Sequence, residues 1–136
     1  MDKMINNNKQ LAEAVKAVPM TAEKESWVLT LDKEENTLFF SPKRIPDGAE
    51  LHQVTDEYAL YLSKDMKPQG LMIEYYGQNF VQHHKEFQDL DKKLFSKKEG
   101  TVVIDPKARN ASNDAKYFKA MLIDNLLSET VTGALT

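Results

Sequence analysis

The three histidines are the first candidates for chemistry, because the ordinary pKa of this side chain lies near neutral pH and its ring binds metals. His83 and His84 are adjacent in a stretch with a helical pattern, where neighbouring side chains point about 100° apart and cannot hold one ion together. His52 falls in a loop or early strand. We expect histidines without a ligand; the alternative is a small ligand pocket that takes polar contacts from His52, Glu74 and His84.

Among the many carboxylates, Glu74 has the setting that could matter most. It lies between Ile73 and Tyr75 in an apolar stretch that is typical of a strand. A carboxyl buried there would need a cationic partner or a proton, and it could then act as a general acid or base. The interpretation we favour places Glu74 at an edge or facing outward.

Motifs of the common enzyme classes are absent from the sequence. There is no Gly-x-Ser-x-Gly elbow, and five scattered glycines supply neither a dinucleotide-binding nor a phosphate-binding loop. The chain has no cysteine, which excludes a disulfide, a thiolate zinc site and a cysteine nucleophile. The sequence therefore predicts no catalytic residue, no metal and no cofactor, and it favours a protein that is not an enzyme.

Composition and charge narrow the class of partner. The chain has 136 residues and a net charge of −3, which argues against a general binder of nucleic acids or anionic membranes. A single-strand nucleic-acid surface remains an alternative, because lysines gather between residues 92 and 98 and the aromatic Tyr75 and Tyr76 could stack on bases. No apolar stretch is long enough for a leader or a membrane span, so we expect a cytoplasmic protein.

Helical periodicity marks three segments, which are residues 1–24, 79–98 and 112–129. Pro19 should stop the first helix, because proline lacks the N–H that the helix needs. In the second helix Asn79 can cap a stripe of apolar residues that begins at Phe80. The residues after 129 are small and weakly polar, and we expect them to be loose.

Alternating patterns between residues 26 and 76 predict two hairpins. Their strands are residues 27–31 with 37–40, and 58–62 with 71–76. Residues 55–66 also fit a helix capped by Thr55, and that alternative stays open. A short strand over residues 101–104 can add to the sheet. The sequence thus predicts one α+β domain over residues 1–136, an antiparallel sheet of four to five strands packed with two to three helices.

Apolar side chains occupy both faces of the predicted strands. Val28 opposes Leu29, and Phe39 opposes its two neighbours, whereas a half-exposed sheet should alternate apolar and polar residues. Helices of one chain can cover one face, so the surplus predicts a homodimer or, failing that, an unidentified protein partner. The contact is expected through the aromatic-rich sheet face or through the C-terminal helix, and the expected contact residues are Leu60, Tyr61, Tyr75, Tyr76 and Phe118.

Residues 27–80 resemble a family of small bacterial domains of unknown function, the one numbered twenty-two eighty-three. The resemblance rests on the segments 32–40 and 54–65, and on Gly70-Leu71-Met72-Ile73-Glu74. The family is a small sheet without an established activity. The resemblance therefore implies the two hairpins and supplies no mechanism. It does not extend to the N-terminal helix or to the long C-terminal part.

Overall fold

A computed structural model describes residues 2–96 and 99–129 of the chain, with side chains from residue 9 to 96 and 99 to 128. The helices are α1 (Asp2–Lys24), α2 (Lys85–Phe95) and α3 (Asn113–Glu129), and a π-helical segment spans Tyr76–Val81. The strands are β1 (Val28–Asp32), β2 (Thr37–Ser41), β3 (Glu50–Gln53), β4 (Ala59–Leu62), β5 (Pro68–Ile73) and β6 (Thr101–Ile104).

The six strands form one antiparallel sheet in the order β3-β4-β5-β2-β1-β6. Hairpins join β1 to β2, β3 to β4 and β4 to β5, while the connection over residues 42–49 carries the chain from the centre of the sheet to its β3 edge. The α+β class is confirmed. The segment that could have been strand or helix contains strand β4.

The strand count of four to five was too low, since the described residues form six. The missing strand is β3, whose side chains are mostly exposed, and its one large apolar residue, Leu51, is 44% exposed. A strand without a buried face has no alternation to detect. Strand β5 also begins at Pro68, three residues earlier than expected, in a stretch that looked like a turn.

All helices pack on one face of the sheet, which we call the inner face. Its buried side chains form one core with those of α1, the π-helical segment, α2 and α3. The largest contributors are Trp27, Phe40, Tyr58, Phe80, Phe87 and Phe118. The predicted apolar stripe of α3 (Ala115, Phe118, Leu122 and Leu126) is buried, as expected.

The described helical segments number four, against two to three expected, and two details differ. Helix α1 continues through Pro19, because Val15, Val18 and Ala22 on either side of it are buried in the core and hold the helix together. The second predicted helix is broken at His84, whose backbone angles (φ −128°, ψ 88°) are not helical. Asn79 therefore lies inside the π-helical segment and caps nothing.

Candidate interaction surface

The sheet face opposite the helices, the outer face, carries one continuous row of side chains across all six strands. Cross-strand pairing places these residues side by side in the order Gln53, Ala59, Met72, Phe39, Thr30 and Val103. Three of the six are large and apolar. None of them belongs to the core that the helices cover. The alternation of strand side chains thus leaves a partly apolar surface outside the core.

This outer face is only partly shielded from solvent. Val103 is 53% exposed at one edge and Leu51 is 44% exposed at the other. Between them Phe39 and Tyr61 are half-buried, and Met72 is buried. The buried side chains of the described helices, apart from Ala115, all belong to the inner-face core.

A loop crosses one end of the outer face. Residues 42–49, which we call the ridge, connect β2 to β3, and Ile45 of the ridge lies over Gly70 of β5. A Cβ atom at Gly70 would come within 2.9 Å of the Ser41 Cβ and 3.5 Å of the Ile45 Cγ1. The absence of a side chain at Gly70 is what lets the ridge approach the sheet so closely.

The other end of the outer face holds a cavity of about 390 Å³, which we call the basin. Its lining residues are Asp32, Glu35, Thr37, Phe39, Met72, Glu74 and Tyr75. Phe39 and Met72 belong to the central row of the face and form the apolar part of the basin. Three carboxylates supply its charge. Tyr75, which is 62% exposed and has a left-handed backbone (φ 51°), closes the basin at the end of β5.

Charge is divided between the two ends of the outer face. Around the basin end lie the carboxylates Asp32, Glu35, Glu74, Asp56 and Glu57, and the last two line neighbouring cavities of about 340 and 100 Å³. At the ridge end the loops 42–49 and 63–67 contain Lys43, Arg44, Lys64 and Lys67 together with Asp47 and Asp65. Glu50, the first residue of β3, also lies at the ridge end, so the ridge end has four cationic side chains against three acidic ones, whereas the side chains named at the basin end are all acidic.

The structure distributes the three expected pocket residues among different neighbours. The His84 ring is hydrogen-bonded to the Glu57 carboxylate (Nε2 to Oε1 2.7 Å), and both side chains are largely buried. His52 lies on the edge strand β3, 3.9 Å from Glu50. Glu74 is exposed and lines the basin. Of the three, Glu74 alone belongs to the outer face and its basin.

Glu57 was not among the site residues predicted from the sequence. It follows a turn in which the Thr55 hydroxyl accepts hydrogen bonds from the backbone N–H groups of Glu57 and Tyr58. This turn aims the carboxylate at His84, whose ring also packs on Phe80 with centroids 4.4 Å apart. The Thr-x-Glu spacing is the one local signal of such a turn.

The five expected contact residues separate into two groups. Leu60, Tyr76 and Phe118 are buried in the inner core. Tyr61 faces outward next to Leu51, and Tyr75 is exposed beside the basin. Burial, with the Asp91 carboxylate nearby, raises the pKa of Tyr76 well above its ordinary value.

The basic cluster that suggested a nucleic-acid surface is partly engaged with acids. Lys93 pairs with Asp89 at 3.3 Å, and Lys97 and Lys98 lie outside the described residues. Elsewhere Glu23 at the end of α1 accepts from Lys119 (3.2 Å) and from Lys107 (3.3 Å). Hydrogen bonds from Lys119 and Lys107, together with their charges, hold the pKa of Glu23 below its ordinary value.

Comparisons with known proteins found no match that could indicate what the outer face binds. No protein-family model, no curated protein and no solved structure matches this chain. The resemblance of residues 27–80 to the bacterial family stays a prediction. In the described ranges, no three His, Asp or Glu side chains come together in a way that could hold a metal ion. No helix within those ranges combines the length and apolar character that crossing a membrane requires.

Proposed function

We propose that this protein is a non-enzymatic interaction module that self-associates through the outer face of its sheet. The observation that carries the proposal is the row of side chains from Gln53 to Val103, which crosses six strands without a covering helix among the described residues. An open antiparallel sheet can keep one face in water, but that face is then polar at alternate positions. Here Phe39, Met72 and Val103 occupy those positions.

The energetic argument follows from apolar area. Each Å² of apolar surface removed from water contributes about 25 cal/mol. Phe39, Tyr61 and Leu51 retain exposed area that a second surface would cover. Aromatic side chains are also enriched at interfaces, where Tyr61 can bury its ring while its hydroxyl keeps a polar contact.

The non-enzymatic part of the proposal rests on how the titratable groups are used. His84 is largely buried at the junction of the π-helical segment and α2, where its Nε2 is hydrogen-bonded to Glu57 and its Nδ1 lies 3.7 Å from Glu86. A general base needs a free nitrogen facing a substrate-sized space. The pair instead holds the β3–β4 turn against the start of α2, which is a structural role.

A cysteine placed in the row tests which face is the contact surface. The wild-type chain has no cysteine, so it can be added in excess without consuming a thiol reagent. A trace of the Thr30→Cys variant should react with a maleimide several-fold more slowly as wild-type protein is added, because the added copies cover the face. The matched control is Lys116→Cys on the exposed side of α3, whose rate should not change. Equal behaviour of the two cysteines would contradict the proposal.

A further inference from the structure

The outer face is complementary to itself in shape and in charge. Its ridge, residues 42–49, stands at one end of the strands and contains Lys43 and Arg44 with a single acid, Asp47. Its basin lies at the other end and is bordered by carboxylates. Both features occupy the middle of the sheet: Ile45 of the ridge lies over β5, and the basin lines β5, β2 and β1.

We propose that the partner of this face is a second copy of the chain, with the ridge of each copy seated in the basin of the other. The two copies are related by a two-fold axis that lies between the sheets and runs across the strands. This inference rests on the proposed self-association and adds the orientation and the contacts. In it, Arg44 of one copy reaches the carboxylates of Glu35 and Glu74 in the other.

Charge favours this axis over an axis parallel to the strands, which would also bring the same faces together. An axis parallel to the strands would lay the basin of one copy on the basin of the other, so that Asp32, Glu35 and Glu74 would face a second set of carboxylates. Like charges brought together at an interface cost several kcal/mol. An axis across the strands reverses the strand direction and places the basic end on the acidic end. It also keeps the ridge and the basin at the same position across the sheet.

The same axis places apolar side chains against their own counterparts. Because the central row runs along the axis, Phe39 of one copy meets Phe39 of the other, and Met72 meets Met72. A two-fold interface is built from such self-contacts. Aromatic rings and thioethers pack favourably on each other in this setting.

The area of the outer face bears on the expected affinity of the dimer. Five strand spacings of about 4.8 Å and five residues of about 3.4 Å give a flat area of about 400 Å². The relief of the side chains and two ridge-to-basin contacts enlarge this area toward the roughly 800 Å² per partner of a standard interface. We therefore expect a dimer that dissociates in the micromolar range and is weakened by salt.

Charge reversal at the two ends is the decisive experiment. The acidic-end variant is Glu35→Lys with Glu74→Lys, and the basic-end variant is Lys43→Glu with Arg44→Glu; all four side chains are exposed, so folding should be preserved. Each variant alone should dimerise at least tenfold more weakly than wild type, because it places like charges on both contacts. An equal mixture should restore dimers as mixed pairs. Native electrophoresis separates mixed pairs because the variants differ strongly in net charge.

The outcomes separate the orientation from the proposed function. This orientation would be overturned if each variant dimerises like wild type, or if the two variants stay monomeric when mixed. In both cases, dimers of the wild type would still support self-association. A wild type that remains monomeric at all concentrations would overturn both.

A cross-link provides an independent measurement of the axis. Facing sheets lie about 10 Å apart, wider than the Cα separation that a disulfide spans, so a short bis-maleimide is the suitable reagent. Thr30→Cys should cross-link to itself, because it lies in the row along the axis. With an axis parallel to the strands, Thr30 would instead face the β4 side of the partner. If the Thr30→Cys variant dimerises as the wild type does but does not cross-link, the proposal is contradicted.

Discussion

Nε2 of His84 lies 2.7 Å from Oε1 of Glu57, 27 residues earlier in the chain, and both side chains are largely buried. His84 also lies between the π-helical segment, which ends at Val81, and α2, which begins at Lys85. The pair therefore connects the β3–β4 turn to the junction between the π-helical segment and α2. Its removal should loosen the connection between the turn and the helices without touching the outer face.

A double-mutant cycle tests this link. His84→Ala and Glu57→Ala should each lower the free energy of unfolding by about 1–3 kcal/mol, because each leaves a largely buried partner unpaired. The double variant should lose less than the sum, with a coupling of about 0.5–3 kcal/mol, measured by urea denaturation. The control is His83→Ala, an exposed neighbour that should change stability by less than about 0.5 kcal/mol. Additive losses would show that the pair does not couple the two elements.

The close approach at Gly70 gives a second prediction. In Gly70→Ala the new Cβ would lie 2.9 Å from the Ser41 Cβ, so β5 and β2 must shift and stability should fall by about 1–3 kcal/mol. Removing that atom in the Gly70→Ala, Ser41→Gly double variant should relieve the contact, making the double loss smaller than the sum of the single losses. Thermal unfolding of the four proteins measures this. A double variant that loses the full sum would mean that the contact is not the cause.

The fold was largely predictable from the sequence because most elements have a buried face. The α3 stripe and the β1–β2 hairpin follow directly from apolar spacing. Strand β3 and the break at His84 were missed, since one has no buried face and the other depends on a contact with Glu57. The ridge over Gly70 was missed for the same reason: a loop that packs on a distant strand leaves no periodic signal. The surplus of apolar residues on the outer face could be predicted from the sequence. The separation of acidic and basic side chains between its two ends could not, because it depends on the order of the strands in the sheet.

The ion pairs of Glu23 predict a pH dependence. Its pKa is lowered in the folded protein, first by the hydrogen bond from Lys119 and then by that from Lys107. A lowered pKa stabilises the fold above the pKa of the unfolded chain, and this contribution is lost as pH falls through the folded pKa. The difference in urea midpoint between wild type and Glu23→Gln should therefore be present at neutral pH and disappear in acid. It should also shrink with added salt. A difference independent of pH would contradict the assignment.

The buried phenol of Tyr76 predicts that this tyrosine does not ionise while the protein is folded. Because burial and the Asp91 carboxylate raise its pKa, Tyr76 should keep its proton until the protein unfolds, and only the unfolded chain releases it at alkaline pH. In a near-ultraviolet titration of the folded protein, Tyr76→Phe should leave the amplitude unchanged. A lower native amplitude in Tyr76→Phe would contradict the burial of this hydroxyl.

Sedimentation of the wild-type protein over a wide concentration range tests the central claim most directly. The outer face predicts a mass that rises from one chain to two with a midpoint in the micromolar range. The variant Phe39→Glu, which places a charge at the centre of the row, should sediment as one chain while keeping its helical and strand content by circular dichroism. A wild type that sediments as a single chain at every concentration would contradict self-association through this face.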